Sequence, residues 1–182
     1  MVQHSLEDTL ALLAHTPAAL DALLRNLPDL WIHRNEGGTS WTVFAVVAHL
    51  LDADHVNWMP RARHILEFGD TRAFPPFDRE AGEHESKDKS LDTLLTEFAH
   101  LRAENLAALR ALNLQPHQLE HPGRHPALGA VTLSQLLASW AVHDLTHLHQ
   151  VTRIMASQYH EAVGPWSKFL GVLHCDGHSD PA

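Results

Sequence analysis

The chain has 182 residues, enough for one domain with its own core, and its formal net charge of −9 with histidines neutral argues against nucleic-acid binding. A single cysteine, Cys175, excludes an intramolecular disulfide and a thiolate-rich structural zinc site, and it favours a reducing compartment. Because no basic leader and no apolar run of roughly 20 residues is found, we expect a cytoplasmic protein that does not bind membranes.

The spacing of apolar residues is helical throughout, which predicts an all-α fold. Four long helices are predicted, and in chain order they span residues 5–26, 41–68, 90–112 and 132–158. Pro17 should kink or split the first helix, and Pro60 should bend the second. Ser40 or Thr42 is the expected cap of the second helix.

Two long connections separate these helices: residues 69–89 are polar, and residues 113–131 are interrupted by proline and glycine. A short closing helix is predicted over 164–173. Four amphipathic helices with long crossover connections are typical of a four-helix bundle. We assign residues 1–173 to this single domain and expect residues 174–182 to form a flexible tail.

The last predicted helix carries three histidines within the segment HDLTHLH. His143 and His147 are four residues apart, so they lie about 40° apart on one face, which is also apolar. His149 lies about 240° from His143 and should point elsewhere. The segment therefore predicts an inward pair and one separate histidine.

His49 interrupts the most apolar turn of the second helix. A single buried histidine is usually a hydrogen-bonded core residue, but three inward histidines favour a metal site over that interpretation. Buried imidazoles without partners cost on the order of 1–3 kcal/mol each, whereas a metal ion satisfies one nitrogen of each. An i, i+4 pair and a histidine from a facing helix form the kind of site that bundles use for metals. A metal-free, hydrogen-bonded histidine core is the alternative.

The segments SWTVFAVVAHLLDAD and WAVHDLTHLHQVTRI, about ninety residues apart, resemble those of the DinB/YfiT-like superfamily of metal-binding four-helix bundles. Members typically have a tryptophan at the start of helix two, a histidine some eight residues later, and an HxxxH motif in helix four. The resemblance implies that His49, His143 and His147 bind a divalent metal, usually zinc or nickel, with water in the remaining positions. It also implies a homodimer.

Other polar residues lie near these histidines. Asp52, about 60° from His49, could orient a ligand or act as a base, whereas Asp54 should lie nearer solvent. Gln150 borders the histidine face, where it could contact substrate or water. Asp144 makes HDLTH a shortened version of the HExxH motif of zinc proteases, an interpretation that its shorter side chain disfavours.

Three neutral imidazoles on a divalent ion leave at least one open position, as in catalytic zinc sites. Such an ion lowers the pKa of a bound water or thiol and polarises a carbonyl. The resembled superfamily includes thiol-dependent S-transferases and isomerases. We therefore predict a metal-dependent transferase or hydrolase acting on a small molecule or a low-molecular-weight thiol, with entry near residues 69–89. The alternative is a non-catalytic, stress-related metal-binding protein with a structural metal.

Overall fold

The computed structural model describes residues 4–76 and 86–175. Its α-helices are, in chain order, α1 (Leu6–Leu24), α2 (Asp29–Ile32), α3 (Val43–Val56), α4 (Trp58–Phe68), α5 (Leu91–Ala111), α6 (Pro116–Leu119) and α7 (Leu133–Ser157). Strands β1 (Pro122–His125) and β2 (Gly129–Thr132) form an antiparallel hairpin before α7. Two 3-10 helices, Gly164–Phe169 and Gly171–Leu173, follow α7. None of the helices in these described ranges is long and apolar enough to cross a membrane.

The helices α1, α3, α5 and α7 form the predicted four-helix bundle. Both α1 and α3 pack against α5 and α7, so α1 and α3 lie diagonally opposite each other. One apolar cluster joins the C-terminal halves of α1 and α7 to the N-terminal halves of α3 and α5, and a second cluster joins the opposite halves. Helices α3 and α7 are therefore antiparallel, and the middle of one lies beside the middle of the other.

The ends of the bundle helices are fixed by local side chains, as the sequence predicts. The Oγ1 of Thr42 accepts a hydrogen bond from the backbone N–H of Ala45 at the start of α3. At the start of α7, Thr132 and Gln135 form a reciprocal capping box. These caps fix the starts of the two helices that carry His49, His143 and His147.

The predicted long second helix is broken into α3 and α4 at Asn57. The ring of Pro60 would clash with the carbonyl of Val56 in a continuous helix. In α4, Pro60 instead occupies the first turn, where no intrahelical N–H bond is required. Pro17, by contrast, lies within an uninterrupted α1, so the prediction that it could split this helix is wrong.

The connections contain structure that the all-α prediction missed. Residues 113–131 include the one-turn helix α6 and most of the β-hairpin, whose four-residue strands are too short to show an alternating pattern. The predicted closing helix over 164–173 is instead two 3-10 helices. Residues 77–85 of the 69–89 connection and residues 176–182 of the predicted tail lie outside the described residues.

Candidate metal centre

Three histidine side chains from α3 and α7 converge between these two helices. The Nε2 of His143 lies 3.1 Å from the Nε2 of His49 and 3.1 Å from the Nε2 of His147. His49 and His147 are 4% and 8% exposed, and His143 is half-buried. We call His49, His143 and His147 the histidine site. The structure thus brings together the three residues that the sequence singled out, and His149 is not among them.

The hydrogen-bonding capacity of these imidazoles favours a cation between them. Each Nε2 carries either one hydrogen or one lone pair, so the Nε2 of His143 can form one good hydrogen bond. It nevertheless faces two other Nε2 atoms at the same distance. Metal–nitrogen distances of about 2.0–2.1 Å place neighbouring ligand nitrogens roughly 2.9–3.4 Å apart in octahedral or tetrahedral geometry. The donor set and these two distances therefore fit a divalent metal.

Gln150 fixes the tautomer of one of these imidazoles. Its Oε1 lies 2.7 Å from the Nδ1 of His147, one turn earlier on the face of α7. An amide oxygen only accepts, so Nδ1 carries the hydrogen and Nε2 presents its lone pair towards His143. That Gln150 could contact substrate or water stays a prediction; in the structure its Oε1 is bonded to the Nδ1 of His147.

Replacing Gln150 by leucine is expected to weaken binding of a divalent metal by about 10–100-fold, the usual effect of removing an outer partner of a ligating histidine. Gln150→Glu retains an oxygen acceptor for the Nδ1–H and should keep affinity close to that of the wild type. Competition with a chromophoric chelator measures both variants. Equal affinity for the leucine variant and the wild type would show that this hydrogen bond does not orient His147.

Indole rings flank the histidine site on two sides. The Trp41 ring centroid lies 4.9 Å from that of His49, and Trp41 is nearly parallel to His147 at 6.1 Å. Trp58 contacts His143 edge-on at 5.0 Å. Because Trp58 is buried and Trp41 is half-buried, they restrict access of water from these directions. Of the three residues of the histidine site, His143 is the most exposed.

The loop that carries Trp41 is tied to α7. The guanidinium of Arg153 donates from Nε and Nη2 to the two carboxylate oxygens of Glu36, at 2.7 and 2.8 Å. The Nε2 of Gln158 donates to the backbone oxygen of Asn35 in the same loop. The Arg153–Glu36 ion pair joins residues far apart in the chain, so no local sequence pattern predicts it.

A buried ion cluster lies beside the histidine site. Arg102 on α5 donates to both oxygens of Asp54 on α3, at 2.7 and 2.9 Å, and to both oxygens of Asp144 on α7, at 2.5 and 3.1 Å. Arg102, Asp54 and Asp144 are each 1% exposed. We call these three residues the Arg102 cluster. The prediction that Asp54 lies nearer solvent is therefore wrong.

Two further donors bind Asp54. The indole Nε1 of Trp140 donates to its Oδ1 at 3.2 Å, and the Nδ2 of Asn105 donates to its backbone oxygen at 2.8 Å. Burial is the largest influence on the Asp54 carboxyl and raises its pKa, while the Arg102 guanidinium acts in the opposite direction. Asp54 therefore depends on its partners to remain ionised in this position.

The two remaining acidic candidates differ in what the structure shows. The carboxylate of Asp144 is bound to Arg102 and is not part of the histidine cluster, which argues against the shortened HExxH interpretation. Asp52 is buried on α3, three residues after His49. Its role as a base or as an orienting residue stays a prediction.

Comparison with known proteins agrees with this architecture. The family model of the DinB superfamily matches residues 12–151. The chain belongs to the DinB superfamily. The matched DinB region extends from α1 into α7 and includes the whole histidine site. No curated protein matches the chain.

A solved structure shares the DinB fold. It is described as "YfiT from Bacillus subtilis is a probable metal-dependent hydrolase with an unusual four-helix bundle topology". The two chains superpose with a TM-score of 0.72 over 90% of each chain, at 22% sequence identity. This likeness establishes that the chain has the bundle fold.

Proposed function

We propose that this protein is a divalent-metal-dependent enzyme that holds its ion with His49, His143 and His147. The observation that carries this proposal is the convergence of three Nε2 atoms, with two contacts of 3.1 Å to the same nitrogen. Three neutral ligands leave the full charge of the ion and further coordination positions for substrate. Imidazole suits zinc and nickel, the two metals that we expect.

The residues around the histidine site have separable roles in this proposal. A divalent ion would supply Lewis acidity, which lowers the pKa of a bound water or thiol and polarises a carbonyl. Gln150 keeps the Nε2 of His147 available as a donor atom. Trp41 and Trp58 shield the site from water on two sides, which strengthens electrostatic interactions within it.

The reaction class that we propose is hydrolysis or thiol-dependent S-transfer on a small molecule. The printed description of YfiT as a probable metal-dependent hydrolase supports the first. Access beside the half-buried His143 suits a small substrate or a low-molecular-weight thiol. Within the Arg102 cluster, Asp54 and Asp144 are bound to the guanidinium, so we assign them no catalytic step.

Replacing His147 by alanine should abolish both stoichiometric metal binding and turnover, with the helical content unchanged. Elemental analysis of the purified protein measures the first. Hydrolysis of p-nitrophenyl acetate and conjugation of N-acetylcysteine to an activated aryl halide measure the second. His149→Ala is the matched control, because His149 lies on the same helix outside the histidine site. Turnover that persists in metal-free protein would contradict the proposal.

Deep burial of two ligands favours a second candidate, a non-catalytic metal-binding protein in which the ion stabilises the bundle. His49 and His147 are 4% and 8% exposed, as expected of a structural centre. This candidate predicts the same metal content and the same effect of His147→Ala on it, but no turnover with either probe reaction. The two candidates are therefore separated by activity of the fully loaded protein.

A further inference from the structure

Arg102 uses all five of its N–H groups inside the bundle. Two bonds reach Asp54, two reach Asp144, and the fifth, from Nη1, reaches the backbone oxygen of Leu13 at 3.0 Å. The acceptors lie on α3, α7 and α1, and Arg102 itself lies on α5. One side chain thus connects the four helices of the bundle.

The bond to Leu13 depends on a proline in α1. In a regular helix the carbonyl of Leu13 would accept from the N–H of residue 17, but Pro17 has no N–H. The Nη1 of Arg102 takes the place of this missing donor. The sequence therefore leaves one acceptor open in α1 at the position that the guanidinium reaches.

The Arg102 cluster is adjacent to the histidine site along both helices that supply the histidines. Asp144 directly follows His143 on α7, and Asp54 follows His49 by five residues, or about 7.5 Å, along α3. Because the guanidinium is planar and rigid, it fixes the separation and the rotation of α3 and α7 at this level. The same separation and rotation determine how close the three Nε2 atoms come.

Aromatic rings form a second connection between the Arg102 cluster and the histidine site. The Nε1 of Trp140 donates to Asp54, and the Trp140 ring stacks on Trp58 with centroids 5.9 Å apart. Trp58 in turn contacts the imidazole of His143. Displacement of Asp54 would therefore reach His143 through packed rings as well as through the helices.

We propose that Arg102 is a positioning residue for the histidine site, holding α3 and α7 in the register that brings the three Nε2 atoms together. This role rests on the proposed metal-binding function, and it adds a residue that touches neither metal nor substrate. Lysine cannot replace it, because an ammonium group has three donors and lacks the planar fork that serves two carboxylates at once.

The test compares Arg102→Lys with Leu106→Ala, a buried residue on the same helix whose apolar side chain forms no hydrogen bond with the two carboxylates. Cobalt(II) is the probe, and its affinity and visible absorption spectrum are measured for each variant. We expect Arg102→Lys to lose at least about tenfold in affinity and to change the spectrum. Leu106→Ala should keep both close to wild type despite its lower resistance to urea. Parallel losses of affinity in the two variants would overturn the proposal.

A second measurement decides the proposal without metal. A proton–nitrogen NMR spectrum of the imidazoles in metal-free protein reports their tautomers and mutual contacts. Arg102→Lys, or Asp144→Asn if the lysine variant does not fold, should shift the signals of His143 and His49, whereas Leu106→Ala should not. Unchanged imidazole signals would refute the positioning role. Failure of wild-type protein to bind cobalt would instead refute the proposed function, and the NMR comparison would still decide the role of Arg102.

Discussion

Replacing Asp54 by alanine is expected to lower the free energy of unfolding by about 3–5 kcal/mol, because it removes one of two carboxylates from a buried guanidinium. Asp54 accepts two bonds from Arg102 and one from the indole of Trp140. These donors lie away from solvent, since Arg102 and Asp54 are both 1% exposed and Trp140 is fully buried. Urea denaturation followed by circular dichroism measures the loss.

Two variants make this prediction specific to the buried cluster. Asp54→Asn keeps an oxygen acceptor and the shape of the side chain, so it should lose less than the alanine variant. Asp21→Ala removes the partner of Arg25 from an ion pair whose side chains are 41% and 33% exposed, and should cost no more than about 1 kcal/mol. A loss for Asp54→Ala as small as that for Asp21→Ala would show that the cluster contributes little to stability.

The error about Asp54 has a structural cause. A single inward stripe on α3, as on a helix at the surface of a bundle, places Asp54 towards solvent. In the structure α3 packs against α5 and α7, and every residue from Val43 to Asp54 is buried. Asp54 is therefore covered by a second neighbouring helix. The apolar pattern of α3 alone does not show that this second helix is present.

The burial of Arg102 is indicated by its position in the sequence. It follows Phe98 by four residues and precedes Leu106 by four, so it continues the apolar stripe of α5. A charged residue in such a stripe indicates either that it forms a buried ion pair or that the inward face of the helix has been assigned wrongly. The identity of its partners depends on which helices meet, and that information is not local.

The histidine site was more accessible to sequence reasoning because its main signals are local. The i, i+4 spacing of His143 and His147 fixes their common face, and His49 lies in a strongly apolar turn. The Thr42 cap is equally local, and it is confirmed. The break at Asn57 was only partly predictable, because Pro60 indicates a bend but not the residue at which the chain leaves the helix.

Removal of the metal is expected to lower the free energy of unfolding. The size of the loss depends on the free metal concentration before removal. A ligand that binds the folded state alone contributes about 2.7 kcal/mol at a concentration one hundred times its Kd, and about 1.4 kcal/mol more for each tenfold increase. The histidine site takes ligands from α3 and α7, so an ion there joins two antiparallel helices in the middle of the bundle. Thermal unfolding in zinc buffers, with and without chelator, measures this dependence.

The matched control is a variant in which His49, His143 and His147 are all replaced by glutamine. Its unfolding temperature should not respond to zinc or to chelator, because the three converging nitrogens are gone. A wild-type unfolding temperature that is equally indifferent to both would contradict metal binding and favour the metal-free histidine core. A response in the wild type alone, together with turnover of either probe substrate, would assign the ion a catalytic role; the same response without turnover would assign it a structural one.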